Sequence, residues 1–228
     1  MITGGSYGVG KNTFFENNFT VALNARKDNL IGKWGGSASV FGQIMKTRST
    51  GIDAGTGELQ VPNLFYINNS KSFPTIEQSL LQKQINSLYA TAEINYDNYL
   101  FFNVTGRNDW SSALGLDNRS FFYPSVSGSW VISDMITKTG GSLPSWLSFA
   151  KLRGSYAEVG NDLPSFQLYN VYNIGKDPNG NTTAGMGNTK YSPTILSELI
   201  KTVEFGFDTR LFNSRLGLDF AWYKTNAT

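Results

Sequence analysis

The sequence contains neither cysteine nor histidine among its 228 residues. Without cysteine there is no disulfide framework and no thiolate, and without histidine a Ser-His-Asp triad is impossible. A zinc site made of carboxylates alone would be exceptional. Glu93 and Glu204 show no fixed separation, so we interpret them as ordinary polar residues rather than as an acid-base pair. The sequence therefore predicts no enzyme, no metal site and no cofactor.

Charge and long apolar runs are also scarce. Charged residues make up 16% of the chain, against about a quarter in soluble domains, and the net charge of +2 does not indicate nucleic-acid binding. No run of about 18 apolar residues exists, so a membrane-spanning helix is not expected. The first residues lack a signal peptide, and we expect an internal piece of a longer protein, or one trimmed of its leader.

Aromatic residues and glycines are plentiful, at 14% and 24 residues respectively, which favours an all-β fold with many turns. Apolar residues alternate with polar ones along residues 202–211, and the phase flips after Asn213-Ser214, as a hairpin requires. The predicted register places Asp208 opposite Asp219, with Arg210 diagonally near as the expected compensating cation. The same register aligns the apolar residues, pairing Leu211 with Leu216, Phe207 with Phe220 and Phe205 with Trp222.

A second hairpin is predicted in the middle of the chain. Pairing Tyr96 with Leu100 aligns two apolar faces and leaves Asp97-Asn98-Tyr99 as a three-residue turn. Alternation also predicts strands near residues 121–133 and 149–159, and weaker alternation indicates strands near 17–25 and 33–46. Together these patterns predict an antiparallel meander of about eight strands.

The connections alternate between short and long. The short ones fall near residues 26–32, 97–99, 134–147 and 213–214, and the long ones near 47–83, 110–120 and 160–199. Outer-membrane barrels have short periplasmic turns and long extracellular loops. We therefore expect residues 1–228 to be part of the wall of a large transmembrane β-barrel, with the three long segments as extracellular loops.

The two faces of the expected wall differ in polarity. Leu, Val, Phe, Ile and Trp share one face, which we expect to contact lipid. A basic side chain facing lipid at the midplane costs about 2–4 kcal/mol. Lys151 and Arg153 should therefore face the lumen, with Leu152 and Gly154 facing outward.

Several short motifs follow one another in the second half of the chain. They read Arg-Asn-Asp-Trp-Ser-Ser at 107–112, Asn-Arg-Ser-Phe-Phe-Tyr-Pro-Ser-Val-Ser at 118–127, Trp-Leu-Ser-Phe-Ala-Lys-Leu-Arg-Gly-Ser-Tyr at 146–156, Val-Gly-Asn-Asp at 159–162 and Phe-Asn-Ser-Arg-Leu-Gly-Leu-Asp at 212–219. In this order they resemble the barrel of SusC-like TonB-dependent transporters.

The resemblance implies a barrel of about 22 strands around a plugged lumen, of which this chain supplies roughly a third, without the plug domain and the remaining strands. It also implies the outer membrane of a Gram-negative bacterium, a SusD-like lipoprotein as external lid and energy delivered through TonB. The implied activity is nutrient import, with oligosaccharides or peptides as cargo.

Five residues are candidate contacts for such a cargo: Arg107, Asp109, Trp110, Tyr169 and Tyr172. For Trp110 the alternative is an anchor at the membrane interface, and for Asp109 a turn cap. The aromatic rings of the long loops either stack on sugar rings or pack the loops themselves. Two other functions stay open: a soluble all-β carbohydrate-binding module, whose apolar faces would meet in a core, and a complete eight-stranded barrel.

Overall fold

The computed structural model describes residues 4–177 and 179–228. Eight strands form one antiparallel sheet in the order β1-β2-β3-β4-β5-β6-β9-β10, and β7 and β8 pair separately. The strands are β1 (Gly8–Ile31), β2 (Trp34–Gly55), β3 (Thr75–Tyr96), β4 (Leu100–Ser111), β5 (Ser120–Val131), β6 (Leu147–Asn161), β7 (Tyr172–Lys176), β8 (Thr182–Met186), β9 (Glu198–Leu211) and β10 (Leu216–Ala227), with a 3-10 turn at Ile67–Asn69 and helix α1 at Ile132–Lys138. The predicted all-β meander is confirmed.

Both predicted hairpin registers are confirmed. Tyr96 pairs with Leu100 across β3 and β4, and the turn between them places Asp97 and Asn98 at positive φ. Asp and Asn tolerate that conformation better than most residues, which explains why the chain reverses there. In the last hairpin the pairs are Leu211 with Leu216, Phe207 with Phe220 and Phe205 with Trp222.

The prediction that Arg210 offsets the repulsion between Asp208 and Asp219 is wrong. The two carboxylates do lie opposite each other, but Arg210 lies over the ring of Phe149 at 5.6 Å. The cation that reaches Asp219 is Arg153, two strands away, with Nη2 at 2.8 Å from Oδ1. Arg153 belongs to β6, a third strand, so the alternation within the β9–β10 hairpin could not indicate it as the partner of Asp219.

The strands extend beyond the predicted segments. β1 and β3 begin well before residues 17 and 88, and β2 continues past residue 46 to Gly55. The added stretches lack clean alternation, since Leu80 and Leu81 are adjacent and Lys11, Asn12 and Thr13 are all polar. Backbone pairing, which any residue can supply, carries these stretches. The strand predicted at 121–133 ends at Val131, where α1 begins.

The chain divides into two compact units. Unit 1 contains residues 4–18 and 45–84, and unit 2 contains residues 19–44 and 85–228. In unit 1 the segment 56–74 is ordered by Asn69, whose amide nitrogen donates to the carbonyl oxygens of Val61 at 2.8 Å and Leu64 at 2.7 Å. The loop predicted at 47–83 is therefore shorter, and it is held by its own hydrogen bonds.

The apolar face of the sheet is open. Phe205 is 57% exposed and Trp222 52% exposed, and matched registers align Leu100, Trp130, Leu152, Phe207 and Phe220 in one row across five strands. The buried hydrophobic residues of the described chain are Leu59, Ala113, Leu114 and Val131. No second sheet covers the row in the part of the chain described, so the core expected for a soluble sandwich is not observed.

The two end strands of the sheet show whether the chain forms a complete eight-stranded barrel. The strand order places β1 and β10 at its two ends, each with a single neighbouring strand within the described residues. A closed eight-stranded barrel would pair these two strands with each other. The arrangement is that of a length of wall.

Candidate functional site

A hydrogen-bonded network on the polar face surrounds Asp109, near the end of β4. Arg107 Nε donates to Asp109 Oδ1 at 2.8 Å, and the Tyr123 hydroxyl donates to Asp109 Oδ2 at 2.5 Å. Arg107 Nη2 also donates to Ser87 Oγ at 3.0 Å. Asp109 is 5% exposed, and a buried carboxylate requires such partners. Both of its oxygens are engaged by neighbouring side chains, so Asp109 orients Arg107 and Tyr123.

An aromatic stack continues from this network across the sheet. The rings of Phe41 and Tyr89 are parallel, with centroids 4.4 Å apart, and the Arg107 guanidinium lies 5.2 Å from the centroid of the Tyr89 ring. Cation–π contact of this kind fixes the plane of the guanidinium. Arg107 therefore has three partners that hold it in one orientation on the polar face.

A groove of about 430 Å³ lies further along the same face. Its lining combines small residues with long side chains of both charges. Arg153 Nε lies 3.6 Å from Glu204 Oε1 across one side. This arrangement matches the expected lumen-facing position of Lys151 and Arg153. The lining includes Glu93, Phe101, Ser127, Lys151, Arg153 and Glu204.

Trp110 lies apart from this network. Side chains alternate between the faces along a strand, so Trp110 shares the apolar face with Phe102 and Val104, while Arg107 and Asp109 share the polar face. Trp110 is partly exposed there. The structure thus separates two residues that are adjacent in sequence and that were both candidate cargo contacts.

Tyr169 and Tyr172 belong to the segment 162–197, which connects β6 to β9. They are 68% and 65% exposed, and Tyr172 begins β7. Their rings are open to solvent rather than packed into the segment. Of the two uses left open for loop aromatics, packing of the segment is not observed for these two rings.

Sequence reasoning missed Tyr123 and Ser87 as members of the network. Alternation along its strand places Tyr123 on the polar face but does not identify its partner. Its contact with Asp109 depends on the β4–β5 register, in which Arg107 faces Tyr123. The long connection between these strands hides that register, because only a tight turn fixes pairing from sequence.

Neither a metal-binding cluster nor a membrane-spanning helix is present in the described residues. Across residues 4–177 and 179–228, no group of three or more acidic side chains is arranged to hold a metal ion. None of the helical residues described belongs to a helix with the length and apolar character needed to cross a membrane.

An antiparallel sheet with one exposed apolar face and one polar, grooved face defines a β-barrel wall. The model of the family "TonB dependent receptor-like, beta-barrel" matches residues 2–228. The chain therefore belongs to this family, and the TonB-dependent barrel predicted from the motifs is confirmed.

Two curated relatives come from Formosa agariphila. TonB-dependent receptor P3 is 26% identical over 225 residues, which are 93% of this chain and 21% of that protein. TonB-dependent receptor P26 is 27% identical over 155 residues, which are 63% of this chain and 15% of that protein. The chain thus spans about a fifth or less of the length of these relatives.

Solved structures share the fold. The structure of the RagAB peptide transporter aligns with a TM-score of 0.82 at 19% identity, covering 96% of this chain and 24% of that one. The RagAB peptide importer in the closed-closed state aligns with a TM-score of 0.81 at the same identity and coverage.

Proposed function

We propose that this chain forms part of the wall of a SusC-like transporter that imports nutrients across the outer membrane of a Gram-negative bacterium. The open apolar face supports this proposal most directly. Exposed rings such as Phe205 and Trp222 are costly in water, whereas hydrocarbon accepts them. The opposite face carries the ionic side chains that a water-filled or plugged lumen accommodates.

The rest of the machinery belongs to the same proposal. We assign a SusD-like lipoprotein as external lid and TonB as the source of energy, and no catalysed reaction. The segments around 56–74, 112–119 and 162–197 are the extracellular parts of the loops predicted at 47–83, 110–120 and 160–199. The whole of residues 1–228 is then a partial barrel domain.

Peptides are the first choice of cargo and oligosaccharides the second. The RagAB structures are those of a peptide transporter, which supports the first choice. We assign cargo contact to Arg107 on the polar face and to Tyr169 and Tyr172 on the loop. Trp110 becomes an anchor at the membrane interface, since its ring shares the apolar face, and Asp109 holds Arg107.

An uptake assay with the full-length transporter tests this assignment. The probes are fluorescein-labelled oligopeptides and, in parallel, labelled oligosaccharides. A ring contact contributes about 0.5–1.5 kcal/mol, so replacing either Tyr169 or Tyr172 by Ala should raise the half-saturating concentration about two- to twelve-fold in each single variant. The matched control is Tyr99→Ala, in the turn that closes β3 and β4.

The outcomes separate the alternatives. Uptake of peptides alone supports the first choice of cargo, and uptake of oligosaccharides alone replaces it with the second. Absence of any uptake that depends on TonB, together with release of the protein from membranes by carbonate at high pH, would return the account to a soluble carbohydrate-binding module.

A further inference from the structure

Ser111, at the end of β4, and the short segment 112–119 that follows it contact the two ends of the long segment 162–197. At one end the Ser111 hydroxyl, which closes β4, donates to the Asp162 carboxylate. At the other end Asn118 Nδ2 donates to the Thr194 carbonyl oxygen at 3.1 Å. These two contacts join residues 51 and 76 positions apart in the chain. The long segment is therefore anchored at its beginning and near its end on one support.

Close backbone approach adds a third contact. A side chain at Gly115 would place its Cβ 2.8 Å from the Pro193 carbonyl oxygen, closer than atoms of this kind approach each other. Only glycine lets the two backbones meet there. This contact lies beside the one between Asn118 and Thr194, so the same end of the long segment is held twice.

The support itself is firmly packed. Ser111 is 1% exposed, and Ala113 and Leu114 are 4% exposed. The Ser111 hydroxyl oxygen also accepts a hydrogen bond from the Ala113 amide at 3.1 Å. The Ser111 amide donates to the Arg119 carbonyl oxygen at 2.9 Å. Burial of this degree is rare elsewhere in the described chain. A segment so packed opens less readily than an ordinary surface loop.

A second clasp closes the long segment above its base. Asn170 Nδ2 donates to the Tyr191 carbonyl oxygen at 2.9 Å, and the Tyr191 amide donates to Asn170 Oδ1 at 2.8 Å. This two-way contact spans the neck of the stretch that contains β7 and β8. The β7–β8 hairpin is thus connected to the rest of the long segment by these two hydrogen bonds and by the two stretches of chain that flank it.

We propose that residues 111–119 are a bracket that makes the short loop and the long segment 162–197 one rigid body. Ser111, Gly115 and Asn118 fix the base, Asn170 fixes the neck, and the exposed rings of the hairpin keep one position relative to β4. A loop ordered before its ligand arrives avoids the entropy cost of ordering on binding. The use of the two bracketed loops for cargo capture rests on the proposed transport function, whereas their rigidity does not.

Distances between spin labels test the bracket in the full-length transporter in lipid nanodiscs, without cargo. Labels at Leu116→Cys and Ile174→Cys, both exposed, report the separation of the short loop from the hairpin. The parent protein should give a single narrow distance distribution. Asp162→Ala and Asn118→Ala together should broaden it and remove the single peak, because the base loses two of its three contacts.

Two controls separate this result from general damage. Ser125→Ala removes the contact between Thr105 and Ser125 within the wall and should leave the narrow peak unchanged. A label pair at Val104→Cys and Val203→Cys reports the wall, and its distance should not change in any variant. A broad distribution in the parent protein, or a narrow one in the double variant, overturns the bracket. A transporter without uptake but with the expected loop distances sinks the transport proposal and supports the bracket.

Discussion

Asp109 illustrates how a single buried carboxylate organises the polar face. Its two oxygens accept from Arg107 and Tyr123, and the guanidinium in turn contacts Ser87 and the ring of Tyr89. A buried carboxylate destabilises the folded state if these partners are removed. The network therefore serves to hold Arg107 and Tyr123 in place.

Replacing Tyr123 by Phe should destabilise the transporter by about 1–3 kcal/mol, the cost of leaving a buried hydrogen-bonding group unpaired. The ring stays, and only the hydroxyl that reaches Asp109 Oδ2 is lost. Urea unfolding from lipid vesicles measures the free energy of unfolding. Tyr223→Phe, on an exposed tyrosine of β10, is the control and should change nothing. Equal stability of both variants would show that Asp109 does not depend on Tyr123.

The turn residue Asp97 gives a pH-dependent prediction. The hydrogen bond from Lys33 Nζ, at 2.7 Å, lowers the pKa of Asp97 below its ordinary value of 3.8. A carboxylate with a lowered pKa stabilises the folded state above its unfolded pKa. That contribution is lost as the pH falls through the lowered pKa, and therefore below about 4.

The variant Asp97→Asn removes this contribution. At pH 7 it should lower the thermal midpoint of the full-length transporter slightly, because the pair is exposed and such pairs are weak. The difference from the parent protein should shrink as the pH falls through 4 to 3. A difference that stays constant across this range would exclude the carboxylate of Asp97 as its source.

Among the elements, the hairpins could be predicted from sequence and the long connections could not. The register of β9 and β10 follows from alternation and a tight turn, and the structure confirms each apolar pair. The β5–β6 connection, predicted near 134–147 as one of the short ones, contains α1, whose seven residues are too few to show a helical period. The bracket contacts between 111–119 and 162–197 join distant residues, which no local pattern indicates.

The turn after β9 carries an element-scale prediction. Asn213 and Ser214 lie at φ 57° and 61°, where a β-branched residue is strained by about 1–2 kcal/mol. Asn213→Val should therefore reduce the stability of the transporter by about this amount, measured by urea unfolding from vesicles. Asn213→Gly at the same position should be tolerated. If the valine variant matches the parent protein, the positive φ of this turn is wrong.

In the candidate site, too, local alternation could be predicted from the sequence and contacts between distant strands could not. Arg107 and Asp109 were chosen from the sequence as cargo contacts, and the structure gives them different surroundings, with Asp109 enclosed and Arg107 partly open. Alternation alone places Trp110 on the other face, so its separation could have been anticipated. The contact of Tyr123 with Asp109 required the β4–β5 register, and the partner of Asp219 required a third strand.

For the whole molecule, the central claim is that the apolar face contacts lipid. Exposed aromatic and aliphatic side chains cover that face from β3 to β10. In the described part of the chain, no second layer of structure covers them. Hydrocarbon is the surrounding that makes this exposure favourable, since each ring buried in lipid avoids contact with water.

Fluorescence quenching by brominated lipids tests this claim directly. The full-length transporter is prepared with Trp222 as its single tryptophan and reconstituted into vesicles whose acyl chains carry bromine. The account predicts strong quenching of Trp222, and equally of Trp130 in a second single-tryptophan variant, with little quenching of Trp146. If Trp222 and Trp130 are quenched by aqueous iodide and not by the brominated chains, the apolar face does not meet lipid and the account is contradicted.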